Sequence, residues 1–216
     1  MADIETFLPP LLWGAWTTIW ITVVSMGIAL ALGLIIALAR MSPNRVLRWS
    51  ASAYVDFMRG TPLLLQLFYI YYVLPYIGLK IPAIVAGILG LSLNYAAYLS
   101  EVYRTSIQSV ARGQTEAAMT VGLRPIQILM HVVMPQAFRI AVPPLGNYFI
   151  SMFKDTALVA IISVKELMFT ADQMASTTYQ YVAIYTLAFV LYFSISYPAS
   201  LIVLRLERRM ARSRGR

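Results

Sequence analysis

Apolar residues in this chain come in long unbroken runs instead of alternating with polar ones. From about Leu11 to Ala39 every residue except Thr17, Thr18, Thr22 and Ser25 is apolar. That predicts a helix able to cross a hydrocarbon layer of ~30 Å, which takes about 20 residues. Ser25, Ala29, Gly33 and Ala37 recur within it at four-residue intervals, a small-residue stripe that predicts close approach to another helix. The next segment opens on Trp49, Tyr54 and Phe57, aromatic residues suited to a membrane boundary. Gly60-Thr61-Pro62 then predicts a break or bend before the apolar run that starts at Leu63. A short turn from Pro75 to Pro82 leads to a third span from about Ala83 to Tyr103, where Ala86, Gly90 and Asn94 repeat the small-residue stripe. Further on, Pro143, Pro144 and Gly146 argue against one uninterrupted straight helix. After them Lys154-Asp155-Thr156 leaves two readings of the fourth span. It ends near Phe153, or it runs through Asp155 with its charges facing an internal cavity. Lys165, Glu166 and Asp172 mark a polar connection, and about Tyr179 to Leu204 forms a last span. The pattern predicts an all-α polytopic membrane protein of five crossings.

One polar interruption stands apart. Residues 114–135 read Gln-Thr-Glu-Ala-Ala-Met-Thr-Val-Gly-Leu-Arg-Pro, then Ile126 to Val133, then Met134-Pro135. Glu116 to Val121 is good helix-forming material, Gly122 suits the left-handed position past a helix end, and Pro125 suits the first position of a second helix. Two short helices joined at a bend are expected, the second with an apolar stripe at Ile126, Leu129, Met130 and Val133.

Composition agrees with the spans. Of 216 residues 60% are hydrophobic and 12% charged, and the mean hydropathy is +0.71, which excludes an ordinary soluble domain. The net charge of +8 could suggest nucleic acid. However, Arg205, Arg208, Arg209, Arg212, Arg214 and Arg216 crowd the end of the last apolar run with no interleaved aromatic residue for base stacking. They read instead as a positive-inside flank able to meet anionic lipid headgroups. Counting crossings puts Arg40, Arg45, Arg48, Arg104, Arg112, Arg124 and that tail on one side, and chiefly Lys80 and Lys165 on the other. The expected orientation is a first segment, 1–10, outside, membrane domain 11–205, and a cytoplasmic basic tail 206–216. Asp3 and Glu5, with no Lys or Arg, are the wrong flank for a secretory signal peptide. Cysteine is absent and histidine occurs once, so neither a disulfide nor a clustered metal site is expected. No Gly-rich phosphate loop, His-Glu-x-x-His or Gly-x-Ser-x-Gly occurs, so no catalytic residue is expected and energy must come from elsewhere.

The 114–135 interruption resembles the Glu-Ala-Ala loop of membrane subunits of type I ATP-binding-cassette importers. Glu116, Ala117, Ala118, Gly122 and Pro135 stand at the family's spacing, with Val132 and Met134 where Ile and Leu are usual. Arg59-Gly60-Thr61-Pro62 followed by Leu-Leu-x-Gln-Leu resembles a segment of the permeases for polar amino acids within that group. The resemblance implies a permease in a bacterial cytoplasmic membrane whose loop, with hinges at Gly122, Pro125 and Pro135, is a coupling helix seated in a separate ATPase. It further implies that ATP and Mg are bound by that ATPase dimer, and that a second permease subunit and an extracytoplasmic amino-acid-binding protein complete the assembly.

For a zwitterionic cargo, Asp155 suits the ammonium, Asn94, Gln66, Asn147 and Thr156 offer hydrogen bonds, and Tyr69 an amphipathic wall. The resemblance puts 154–156 near the cargo path. An ion pair of Asp155 with Lys154 or Lys165 is the structural alternative. Glu101 is expected to pair with Arg104 or Arg59, and Arg59 otherwise to reach headgroups. A secondary transporter driven by an ion gradient is the competing function, though no inverted repeat is evident.

Overall fold

In the computed structural model the backbone of residues 2–212 and the side chains of residues 5–210 are described, so Met1 and the tail's Arg214 and Arg216 lie outside the described residues. The helices are α1 (Ala2–Arg40), α2 (Arg45–Gly60), α3 (Leu63–Phe68), α4 (Ala83–Gln108), α5 (Arg112–Thr120), α6 (Pro125–Ile128), α7 (Met134–Asp155), α8 (Leu167–Thr178) and α9 (Tyr181–Arg212). Tighter or wider turns extend α3 to Ile77, α6 to Val133 and α7 to Ile162. Among the described residues four helical segments are long and apolar enough to cross a membrane, and α2 with the helix from Leu63 to Ile77, which meet at 104°, make a fifth if the bent pair counts as one span. No strand occurs among the described residues.

Inter-helix contacts set the directions. Arg40 and Arg104 both donate to Glu101, and Ser92 Oγ donates to the Ser25 carbonyl at 3.2 Å, so α1 and α4 run parallel. Tyr95 meets Asp155 while Tyr98 meets Tyr148, so α7 runs against α4. Phe153 packs on Tyr192 and Gly146 on Val203, so α9 runs against α7. The start of α1 and the end of α9 therefore lie at opposite ends of the bundle.

Between apolar helices in lipid there is no hydrophobic drive, and close packing of small residues replaces it. The α1 stripe forms such a seam: Ser25, Ala29 and Ala37 are buried, and a methyl group on Gly33 would sit 3.0 Å from Leu99 Cβ and 3.2 Å from the Ala96 carbonyl oxygen. The α4 stripe does the same against α3, with Gly90 under Leu67 and Ile70. Tyr181, Tyr185, Phe189, Phe193 and Tyr197 follow at four-residue intervals on α9. Phe189, Phe193 and Tyr197 are stacked and exposed, as a lipid-facing surface would be.

Several elements differ from the sequence expectation. Helix α1 begins at Ala2, so a boundary at residue 10 falls inside it despite Pro9 and Pro10. Glu101 pairs with Arg104 as expected, but its second partner is Arg40 and not Arg59. Pro143 and Pro144 do not interrupt α7. Each removes one backbone donor, but α4 and α9 grip the helix on both flanks, the setting in which a membrane helix tolerates proline. Helix α9 carries on past Leu204 through the basic tail to Arg212.

The largest correction concerns residues 163–178. Glu166, expected on a polar connection, is fully buried and caps α8. Its carboxylate accepts from Phe169 N–H at 2.7 Å, the Tyr192 hydroxyl at 2.9 Å and the Thr18 hydroxyl at 3.2 Å, and it has no salt bridge among the described residues. Burial pushes its carboxyl above the ordinary 4.5, and the hydrogen bonds only partly oppose this. An acid whose folded pKa is raised holds its proton more tightly when folded. Its contribution to stability is therefore intact below the unfolded pKa and is lost as pH climbs through the folded one. Relative to Glu166→Gln, the wild-type chain is thus expected to lose unfolding temperature progressively above pH 4.5. Thermal unfolding of both proteins in detergent across pH checks this; parallel curves would reject it.

Candidate functional site

The break between α2 and α3 makes a cavity. Thr61, which precedes Pro62, is held extended, and the unwound stretch faces a space of about 520 Å³ between α4 and α7. Irregular backbone at membrane depth needs protein or a wet space beside it. Helix α4 contributes Asn94, Tyr95 and Tyr98, α7 contributes Tyr148, Ser151 and Asp155, and the break contributes Arg59 to Leu63. The Tyr95 hydroxyl donates to Asp155 Oδ2 at 2.7 Å. The Arg59 guanidinium lies 5.4 Å from the centre of the Tyr98 ring, a favourable cation–π arrangement. Tyr148 stands edge-on to Tyr95 and 5.8 Å from Tyr98. One carboxylate and one guanidinium thus line the same cavity with three tyrosines among them, and neither charge has a salt-bridge partner among the described residues. Lys154, the neighbour considered for Asp155, is exposed.

At the far end of α4 and α7 the chain forms an elbow. Helix α5 closes at Val121, Gly122 takes φ +81°, and Pro125 is the first residue of α6. The Gln127 side chain accepts from the Arg124 N–H at 2.9 Å. Ala118, Ile128, Val133 and Ala137 bury one face with Ile107 of α4. The buried stripe is therefore Ile128, Leu129, Val132 and Val133, whereas Ile126 and Met130 of the expected stripe are exposed. A wide π-type turn over Leu129–Val133 shifts the facing residues away from 3.6-residue spacing. Outward, Glu116 and Ala117 are exposed, with Met119, Val121, Ile126 and Met130 beside them, each more than half exposed. The elbow is tied to α7 again by Gln136, which donates to Gln114.

With that architecture described, residues 29–212 match the sequence profile of the binding-protein-dependent transport system inner membrane component family. The chain belongs to this family. It is 43% identical over 209 residues to the L-cystine transport system permease protein of Bacillus subtilis strain 168, covering 96% of this chain and 89% of that one. It is 33% identical over 205 residues to the glutamine transport system permease protein of Escherichia coli K12, covering 94% of each. A crystal structure of an amino acid ABC transporter with histidines contains a chain 36% identical, with a TM-score of 0.92 over 96% of this chain and 97% of that one. The fold also matches a chain of the MetNI methionine ABC transporter in an inward-facing conformation, at TM-score 0.75 and 22% identity, over 94% of this chain and 98% of that one.

Within this permease fold the residues expected to line a path separate into two groups. Asp155 and Asn94 line the cavity. Gln66 does not: its amide donates to the Met58 and Thr61 carbonyls and to Thr61 Oγ1, and Asn94 adds bonds to Met58 O and Gln66 Oε1. Both amides satisfy backbone acceptors orphaned by the break. Tyr69 lies with Gln66 on a separate apolar cleft, Asn147 is exposed outside the cavity, and Thr156 is buried against Thr22. Sequence reading missed Tyr95, Tyr98, Tyr148 and Ser151 and gave Arg59 to Glu101 or to headgroups. The available signal was Tyr148, Ser151 and Asp155 at i, i+3 and i+7, one polar face on an apolar helix.

Proposed function

We propose that this chain is the membrane subunit of an ATP-driven importer of amino acids. In this reading the elbow and the basic ends of α1, α4 and α9 face the cytoplasm and the start of α1 faces outside, following the bias of Arg toward the elbow end. The chain pairs with a second permease subunit and receives cargo from an extracytoplasmic binding protein. A partner ATPase that binds ATP and Mg meets the exposed Glu116, Ala117 and Met119 face. Gly122, Pro125 and Pro135 act as hinge points of the elbow.

The observation that carries the cargo assignment is the charge content of the cavity. One carboxylate and one guanidinium, each without a salt-bridge partner among the described residues, complement a molecule bearing one ammonium and one carboxylate. Asp155 takes the ammonium and Arg59 the carboxylate, whose planar geometry suits a guanidinium fork. The tyrosines supply an apolar wall with hydroxyl handles for the side chain.

The test is reconstitution of the permease in proteoliposomes with its ATPase and binding protein, using labelled L-amino acids. Uptake is expected only with ATP on the ATPase side. Accumulation by the permease alone, driven by an ion gradient, would establish the secondary-transporter reading instead.

A further inference from the structure

Helix α1 contributes nothing to the cavity wall, yet it holds the backbone on which Asp155 sits. Three polar side chains of α1, Thr18, Thr22 and Ser25, are fully buried on one face at i, i+4 and i+7. Thr22 Oγ1 lies 3.0 Å from Thr156 Oγ1, one residue beyond Asp155, where the α-helix tightens into a 3-10 segment that runs to Ile162. The chain is held again beyond that segment, at the start of α8, where Thr18 Oγ1 contacts Glu166 and accepts from the Leu167 N–H at 3.1 Å. Two threonines one turn apart on α1 thus hold the chain at the start of the 3-10 segment and again at the cap of α8.

The first clamp point cannot be fully satisfied. Thr22 Oγ1 is 2.7 Å from the Thr18 carbonyl and Thr156 Oγ1 is 2.8 Å from the Met152 carbonyl. Two hydroxyl protons therefore serve three close contacts, since each hydroxyl donates once. Either both threonines back-bond to their own helices and the 3.0 Å contact lacks a proton, or one donates across and releases a backbone carbonyl. These are two alternative hydrogen-bond states of similar geometry. Beside them a small void of about 110 Å³, lined by Thr22, Phe149, Phe153 and Ala199 among others, leaves α7 room to move on the side away from the cavity. Helix α7 finishes in this 3-10 stretch, which Ser163 closes in a left-handed conformation (φ +63°), so Asp155 sits where the helix changes pitch near its end.

We infer that Thr22 and Thr156 form a hydroxyl hinge through which α1 sets the position of Asp155 in the cavity, making Thr22 a positioning residue for transport. Because α1 is bound along its length to α4, and α4 leads into the elbow, the hinge links elbow movement to Asp155. The inference rests on the cargo reading of Asp155 given above.

A double-mutant cycle on the reconstituted importer tests it, since spatial adjacency alone does not establish coupling. Thr22→Val keeps the shape and removes the hydroxyl, Thr22→Ser keeps the hydroxyl, and each is made with Asp155 or with Asp155→Asn. The expected result is a rise in KM of about threefold to tenfold for Thr22→Val, in keeping with one hydrogen bond. Thr22→Ser should return KM to near wild type, and Thr22→Val should add no further change in the Asp155→Asn background. If Thr22→Val leaves KM unchanged, or its effect multiplies with that of Asp155→Asn, the hinge is overturned and the cargo site stands. If Asp155→Asn itself leaves uptake of every amino acid unchanged, the cargo reading and the hinge fall together. Should Thr22→Val fold poorly, the Thr22→Val/Thr156→Val pair, which replaces both hydroxyls with packed methyls, is measured in the same cycle.

Discussion

Asp155→Asn is expected to lower kcat/KM for amino acid uptake by at least about thirtyfold while leaving insertion and assembly unchanged. The size follows from removing the charge that meets the cargo ammonium in this reading, a loss of about 2 kcal/mol. Asp155 is half-buried at the cavity wall, and its native hydrogen bond is to Tyr95. The amide of Asn can still accept that bond, so the wall keeps its shape and loses only its charge. Lys154→Gln supplies the control: Lys154 adjoins Asp155 in sequence but is exposed and does not line the cavity, so its loss is expected to leave uptake as it was. Initial-rate uptake with a panel of labelled amino acids measures both. Equal rates for Asp155→Asn and wild type across the panel would remove Asp155 from the cargo site.

Asp155 stood out as one of three consecutive polar residues, Lys154-Asp155-Thr156, between apolar stretches, where a charge is costly enough to demand a reason, and the resemblance to the importer family set it above the others. The elbow was legible for a different cause. Gly122 and Pro125 act through their own backbone chemistry, so a positive φ and a helix start can be read without knowing what surrounds them. The α1 seam was legible because a four-residue repeat of small side chains has few other uses in lipid.

What depended on distant partners was not legible. Glu166 looked like part of a polar connection, and only Thr18, 148 residues away, and Tyr192 make it a buried cap. Gln66 looked available to cargo until the carbonyls left by the Gly60–Pro62 break consumed its amide. The tyrosines of the cavity were hidden among the chain's 14, most of which serve equally well at a lipid boundary. Their partners across the cavity come from a separate helix, and no local pattern in α4 announces α7.

The same distinction between local and distant causes makes Glu116→Lys informative at the elbow. Glu116 is exposed on α5, and reversing a charge at such a surface position usually changes stability by only about 0.5 kcal/mol or less. The elbow itself is held from its other face, by Ala118, Ile128 and Val133 against Ile107 and by the Gly122 turn, none of which the substitution touches. A loss of function therefore reports on whatever docks there. The expected outcome is normal insertion and normal basal hydrolysis by the ATPase subunit, but ATP-driven uptake reduced by about tenfold, within the range of ordinary coupling free energies. Binding-protein stimulation of hydrolysis should fall with it. By contrast Gly122→Val forces a branched residue into a left-handed turn and should weaken the elbow itself, visible as a lower unfolding temperature as well as lost uptake. If Glu116→Lys transports and stimulates hydrolysis as the wild type does, Glu116 lies outside the contact and the exposed apolar residues beside it, Met119 and Val121, would have to carry the coupling without it.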